Sequence, residues 1–142
     1  MPIVCDENGL SVSFDKNKER WFYSIGGEKY PIDEEGPSSV SLLPLLRIRY
    51  SDFQQNLSQY LRNECKTTML DASFPYNNIL RVALSVQSEG WISLALKWIE
   101  DSNYSIGESS IEDFRRIGSI KYYSQKIRHR AIRASARLAG KK

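Results

Sequence analysis

The sequence predicts an α+β domain: a small N-terminal antiparallel β-meander followed by a bundle of about five α-helices. Three observations carry this expectation. Apolar and polar residues alternate near the N-terminus, apolar residues recur at helical spacing from Ser51 onward, and a Gly/Pro/Ser-rich stretch separates the two patterns. A chain of 142 residues with 41% hydrophobic composition is long enough to bury a real core. One domain over 1–142 is therefore expected, with a β-rich part at 1–35, a helical part at 51–139 and a basic tail at 140–142.

In "LSVSF", Leu10, Val12 and Phe14 alternate with serines, the period of a half-buried strand. "DKNK" supplies turn residues, and "RWFYSI" is rich in aromatic and β-branched residues. Gly26-Gly27 suits a tight hairpin turn, so "EKYPI" returns as a third strand with Pro31 at its edge or end. The meander thus covers Leu10 to Ile32. "DEEGPSSVS", from Asp33 to Ser41, reads as a loop, and Pro44 in "LLPLLRIRY" opens a short helical turn.

Ser51 and Gln54 form a capping box for a first long helix with Phe53, Leu57, Tyr60 and Leu61 on one face. Pro75 fits the first turn of a helix reaching about Val86. Glu89 to Glu100 is apolar around so much of its circumference that a central helix is expected, with Trp91 and Trp98 in the core. "NYSIGE" breaks the pattern. Ser109 and Glu112 make a second capping box, opening a short helix with Ile111, Phe114 and Ile117 inward and Gly118 as its C-cap. The last helix is expected from about Lys121 to Leu138, stopped by Gly140.

Several function classes find little material. The apolar stretches are too short and interrupted for a membrane span, and "MPIVCDENGL" has neither the basic nor the apolar region of a signal peptide. A cytoplasmic protein is the expectation. Cys5 and Cys65 fit no metal-ligand spacing, and both are expected to be reduced, with Cys65 half-buried at a helix end. With a single histidine, no metal site is expected. Nucleophile-elbow, phosphate-loop, dinucleotide-loop and zinc-protease motifs are absent, so the chain is expected to be non-enzymatic and to carry no cofactor. The aromatics Trp21, Phe22, Tyr23, Tyr30 and Tyr50 read as core packing in preference to a base-stacking platform.

Charge is the most uneven property. The formal balance is +3, yet from Lys121 onward there are eight Lys/Arg and no acid. The first 120 residues hold the other 12 basic residues against all 17 acidic ones, a balance of −5. Such asymmetry marks an interaction tail or a helix that packs on its own acidic body.

"SQKIRHRAIRASAR", Ser124 to Arg137, concentrates four arginines, one lysine and the histidine. Projected at 100° per residue, Arg130, Arg133 and Arg137 all fall within about 40° of Lys126, a basic ridge. Ile120, Tyr123, Ile127, Ala131, Ala134 and Leu138 form an adjacent apolar seam whose small residues suit close helix packing over a membrane surface. His129 lies off the ridge. The candidate partner-binding residues are therefore Lys126, Arg130, Arg133 and Arg137, together with the acidic loop Asp33, Glu34 and Glu35. A nucleic-acid role would set the ridge along a phosphate backbone, with the preceding short helix giving a helix–turn–helix outline.

Taken together, "RWFYSIGGEKYPIDEEGPSSV", "WISLALKWIE" and "SQKIRHRAIR" resemble small bacterial immunity proteins of contact-dependent growth inhibition and polymorphic toxin systems. The resemblance implies a cytoplasmic protein that binds and neutralises a cognate protein toxin. The chain departs from the acidic balance of many immunity proteins to nuclease toxins. The rival expectation is a nucleic-acid-binding protein using the basic C-terminal helix.

Overall fold

The computed structural model describes residues 3–5, 9–34, 36–64 and 74–140. Glu35, Cys65 and the last two residues of the expected basic tail lie outside them. The architecture is α+β, an N-terminal antiparallel sheet followed by helices. The chain divides into two compact units, Met1–Ile79 and Leu80–Lys142.

In the first unit the sheet has four strands in the order β1-β2-β3-β4, all antiparallel. They are β1 (Ile3–Cys5), β2 (Leu10–Asp15), β3 (Arg20–Ile25) and β4 (Glu28–Pro31). The sequence patterning predicts the last three, whereas β1 is only three residues long, too short for an alternation to register. Gly26 and Gly27, at φ +58° and +82°, close the β3–β4 hairpin. A two-residue turn with both φ positive matches the twist of its strands, and glycine adopts it without steric penalty. In the β2–β3 turn the Asp15 carboxylate accepts hydrogen bonds from the backbone N–H of Asn17 at 2.9 Å and Lys18 at 3.1 Å. Led by the Lys18 bond, these donors hold its pKa below the usual value.

Register decides which residues meet the core. Val12 opposes Tyr23, and Phe14 opposes Trp21, so these side chains share one face. On that face Trp21 stands 5.3 Å from Phe74, and Phe74 stands 5.0 Å from Phe53 (ring centroids). Helix α1 (Tyr50–Glu64) buries Phe53, Leu57 and Leu61, one residue per turn. Its Tyr60 hydroxyl accepts a 2.8 Å hydrogen bond from the Phe14 N–H, tying helix to strand. The opposite face carries Ser11, Ser13 and Ser24, with Phe22 buried under the cations of Lys29 and Lys18 at 4.8 and 5.5 Å. Trp21, Phe22 and Tyr23 are all buried, as core packing requires.

Two sequence expectations in this unit need correction. The Asp33–Ser41 stretch is not loop throughout: a 3-10 helix runs Pro37–Arg47 and buries Leu42, Leu43, Leu45 and Leu46. Its start is closed by Ser39, whose hydroxyl accepts from the Gly36 N–H at 2.9 Å while the Ser39 N–H donates to the Gly36 carbonyl at 3.0 Å. Polar, proline-containing composition reads as loop, but the leucines behind it need burial. The Ser51–Gln54 capping box also does not form. Phe53 N–H donates to the Arg49 carbonyl at 2.9 Å, so α1 starts earlier and Ser51 lies inside its first turn. Gln54 instead hydrogen-bonds the Tyr76 hydroxyl. Burial, followed by the neighbouring Tyr50, raises the pKa of that hydroxyl above its usual value.

Helix α2 (Tyr76–Ser85) starts directly after Pro75, as expected. In the second unit α3 (Glu89–Asp101) buries Ile92, Ala95, Leu96, Trp98 and Ile99, while Trp91 is only half-buried, short of the core position expected for it. Ser88 caps α3, its hydroxyl accepting from the Trp91 N–H at 3.4 Å. A short 3-10 turn, Glu108–Ser110, leads into α4 (Ile111–Ser119). Phe114 and Ile117 face inward. The expected Ser109–Glu112 box is missing: Ser110 takes the cap position, and its buried hydroxyl has no hydrogen-bond partner among the described residues. Helix α5 (Gln125–Ala139) closes the unit, four residues later than the sequence predicts for its start.

Gly118 is a packing residue within α4 and not a C-cap. A Cβ built on it would stand 2.5 Å from Ile132 Cγ1 of α5 and 3.5 Å from the Arg128 carbonyl oxygen. Alanine in a helix ordinarily gains up to about 1 kcal/mol over glycine. Here the methyl meets a β-branched side chain held stiffly in its own helix. Gly118→Ala is expected to destabilise by about 1–3 kcal/mol in denaturant titration. Adding Ile132→Ala should recover most of that loss.

Candidate functional site

The acidic loop and the C-terminal helix belong to different units, and each has its own chemistry. In the loop, Asp33 and Glu34 do not present a free acidic edge. The Arg20 guanidinium of β3 donates to Asp33 Oδ1 at 2.7 and 3.2 Å and to Glu34 Oε2 at 2.6 Å. Asp33 first and Glu34 second hold Arg20 protonated above its ordinary range. One cation thus takes up much of the field of two acids. The pair is solvent-exposed, so its contribution to stability is small. Glu35 lies outside the described residues.

Helix α5 starts where Ser124 caps it, its hydroxyl accepting from the Ile127 N–H at 3.3 Å. Lys121 to Tyr123 form the preceding turn. Ile127, Ala131, Ala134, Ser135 and Leu138 are buried. The predicted seam is therefore the core face from Tyr123 onward, while Ile120 is half-buried. At 100° per residue the centre of that seam lies almost opposite His129. Lys126, His129, Arg133 and Arg137 are exposed, as is half of Ile132. Tyr122, at the head of the helix, is 81% exposed.

The structure separates Arg130 from the other ridge residues. Its Nε and Nη2 donate to the two carboxylate oxygens of Glu100 at 3.0 and 2.9 Å. Its Nη1 and Nη2 also donate to Ser93 Oγ at 2.9 Å and to the Ser93 carbonyl at 3.3 Å. Ser93 and Glu100 lie seven residues apart on α3, two turns along one face, so a single guanidinium spans both. A bidentate Arg–carboxylate pair is directional as well as strong. Arg130 is thereby committed to α3.

The exposed basic side chains and the imidazole on the outward face of α5 have no such partner. Among the described residues, no carboxylate pairs with Lys126, His129, Arg133 or Arg137. The contrast with α4 is direct: Arg115 pairs with Glu112, and Arg116 with Asp113 at 2.8 Å, both within the helix. On α5, Arg133 and Arg137 stand four residues apart, roughly 6 Å. That spacing is inside the Debye length of about 8 Å at physiological salt, so their potentials add.

Sequence projection finds Lys126, Arg133 and Arg137, but it takes Arg130 as their equal and sets His129 aside. Measuring from the apolar seam, instead of from the ridge, would have placed His129 at the middle of the outward face. Sequence reasoning misses Asn103 and Tyr104 altogether. Both are non-glycine residues in the left-handed region, at φ +55° and +61°. Their N–H groups close the end of α3, donating to the Glu100 carbonyl at 3.0 Å and the Ile99 carbonyl at 2.8 Å. The Arg137 guanidinium lies over the Tyr104 ring, 5.3 Å from its centroid.

Among the described residues, no group of three or more His, Cys, Asp or Glu side chains is arranged to hold a metal ion, and no helix is long and apolar enough to cross a membrane. Comparison with protein-family models, curated proteins and solved structures finds no match.

Arg130→Met keeps the aliphatic stem but leaves Glu100 and Ser93 without the guanidinium that bonds both. A loss of about 2 kcal/mol is expected in urea denaturation. The double variant Arg130→Met/Glu100→Leu should recover much of it, because no unpaired charge remains.

Proposed function

We propose that this chain is a non-enzymatic binding protein of the immunity type, which docks the outward face of α5 on an acidic surface of a cognate toxin domain in the cytoplasm. The single observation that carries this reading is the acid-free basic face of Lys126, Arg133 and Arg137, with the His129 imidazole among them. Arg130 and Glu100 hold the helix that displays it. Complementary charge of this kind steers encounter and fixes orientation. Half-exposed Ile132 adds an apolar contact beside the cations. Neutralisation follows from coverage: an acidic surface occupied by α5 is closed to its own substrate.

A second reading, nucleic-acid binding, is favoured by one observation. Tyr122, 81% exposed, stands at the head of the same face with Gln125 exposed beside it. An aromatic ring adjoining a row of cations can stack on an unpaired base while the cations meet phosphates.

Lys126→Glu/Arg133→Glu distinguishes the two. Neither residue is buried, so stability should stay within about 0.5 kcal/mol of the parent. Against a candidate toxin domain, calorimetry is expected to show affinity weakened about tenfold or more by the double variant. No complex with the parent chain overturns the toxin reading. Fluorescence anisotropy with duplex and single-stranded oligonucleotides at two salt concentrations tests the other. Tight parental binding that falls steeply with salt and disappears in the double variant would select nucleic acid.

A further inference from the structure

At the ends of α3 and α5, an open hollow of about 410 Å³ is lined by Asn103, Tyr104, Arg137 and Gly140. We infer that this hollow is an anchor subsite for a single carboxylate, an Asp or Glu side chain projecting from an acidic segment of a protein partner. The inference rests on the protein-binding reading for the source of that carboxylate, and on the hollow itself for its chemistry.

Four features support it. The Arg137 guanidinium carbon lies 5.3 Å from the Tyr104 ring centroid, a cation–π contact, and the exposed side chain carries a planar edge of N–H donors. That edge matches the two oxygens of a carboxylate. Arg137 is exposed and has no carboxylate partner among the described residues. The ring beneath it is positioned by two consecutive left-handed residues, a conformation that non-glycine residues rarely adopt. The turn is secured by its hydrogen bonds to the α3 carbonyls. Asn103, the first of the two, also lines the hollow.

The same geometry argues against phosphate. Among the described residues one guanidinium lines the hollow, and it sits in the last turn of α5, where the helix carbonyl end contributes partial negative charge. A singly charged carboxylate is balanced by one guanidinium. A phosphate dianion is better served by several cations or by a helix N-terminus. The small residue at Gly140 leaves the mouth open, so a side chain can enter from a folded partner.

The test uses the full chain with isotopically labelled arginine and tyrosine, observed by NMR at low salt. The probes are an acetylated and amidated Ala-Glu-Ala peptide and inorganic phosphate. Saturable shifts of the Arg137 Nε–H and the Tyr104 ring with the peptide are expected, with phosphate at least about tenfold weaker. Arg137→Gln should abolish the peptide response. Arg137→Lys should weaken it by about tenfold, since it keeps the charge and loses the fork. Lys16→Gln, an exposed residue of the β2–β3 turn, should leave the peptide shifts at Arg137 in place. No saturable shift, an unchanged response in Arg137→Lys, or preference for phosphate each overturns the carboxylate subsite. Because no toxin is present in this experiment, its failure is separate from failure of the toxin complex.

Discussion

Arg130 holds the second unit's chemistry in place. One guanidinium, 19% exposed, satisfies both oxygens of Glu100 and two oxygens of Ser93. A partly buried carboxylate needs that compensation, and the bidentate geometry fixes rotation as well as distance. Once α5 is locked against α3 in this way, its other cations have only one direction left. The small residues Ala131 and Ala134 bring the helix close, and Gly118 lets Ile132 seat against α4. Lys126, His129, Arg133 and Arg137 are outward because Arg130 is inward.

The first unit is organised by aromatic contact instead of charge. Phe14, Trp21, Phe74 and Phe53 form a continuous series of tilted and edge-on pairs with centroid distances of 5.0 to 5.3 Å. Such pairs favour offset geometries and add to their burial energy. The Tyr60 hydroxyl supplies a polar fastening, accepting a strand N–H that would otherwise lack a partner within reach of the helix. The charged groups of this unit are locally compensated, as Arg20 with Asp33 and Glu34 shows. The acidic loop and the basic helix, alike in sequence as runs of one sign, therefore differ in what they offer a partner.

Much of the fold was legible from local pattern. The serine-spaced Leu10, Val12 and Phe14, the Gly26-Gly27 hairpin and the seam Ile127, Ala131, Ala134 and Leu138 obey short-range rules of pleat, turn and helix. Boundaries were less legible. Ser51–Gln54 and Ser109–Glu112 have the right spacing for capping boxes, yet Gln54 is drawn to the Tyr76 hydroxyl and a 3-10 turn precedes α4. A capping motif records what the side chains can do, and competing partners decide whether they do it. Gly118 shows the same limit. Its position near a helix end suggests a cap, while its use is the close approach of another helix.

The sequence by itself determined the α+β architecture, the strands of the meander from Leu10 onward, the apolar face of α5 and the presence of a cation-rich stretch along it. Each follows from periodicity within one element, which a single strand or helix carries without reference to any other. Only the tertiary structure decided which cations are available. Arg130 and Arg133 are equivalent in an isolated helix, and they separate because Glu100, thirty residues before Arg130, lies beside one and not the other. His129 moves to the middle of the outward face, and Arg137 comes to rest on Tyr104, for the same reason. Pairing between charges depends on distance in space, and that distance is set by the packing of α3 against α5.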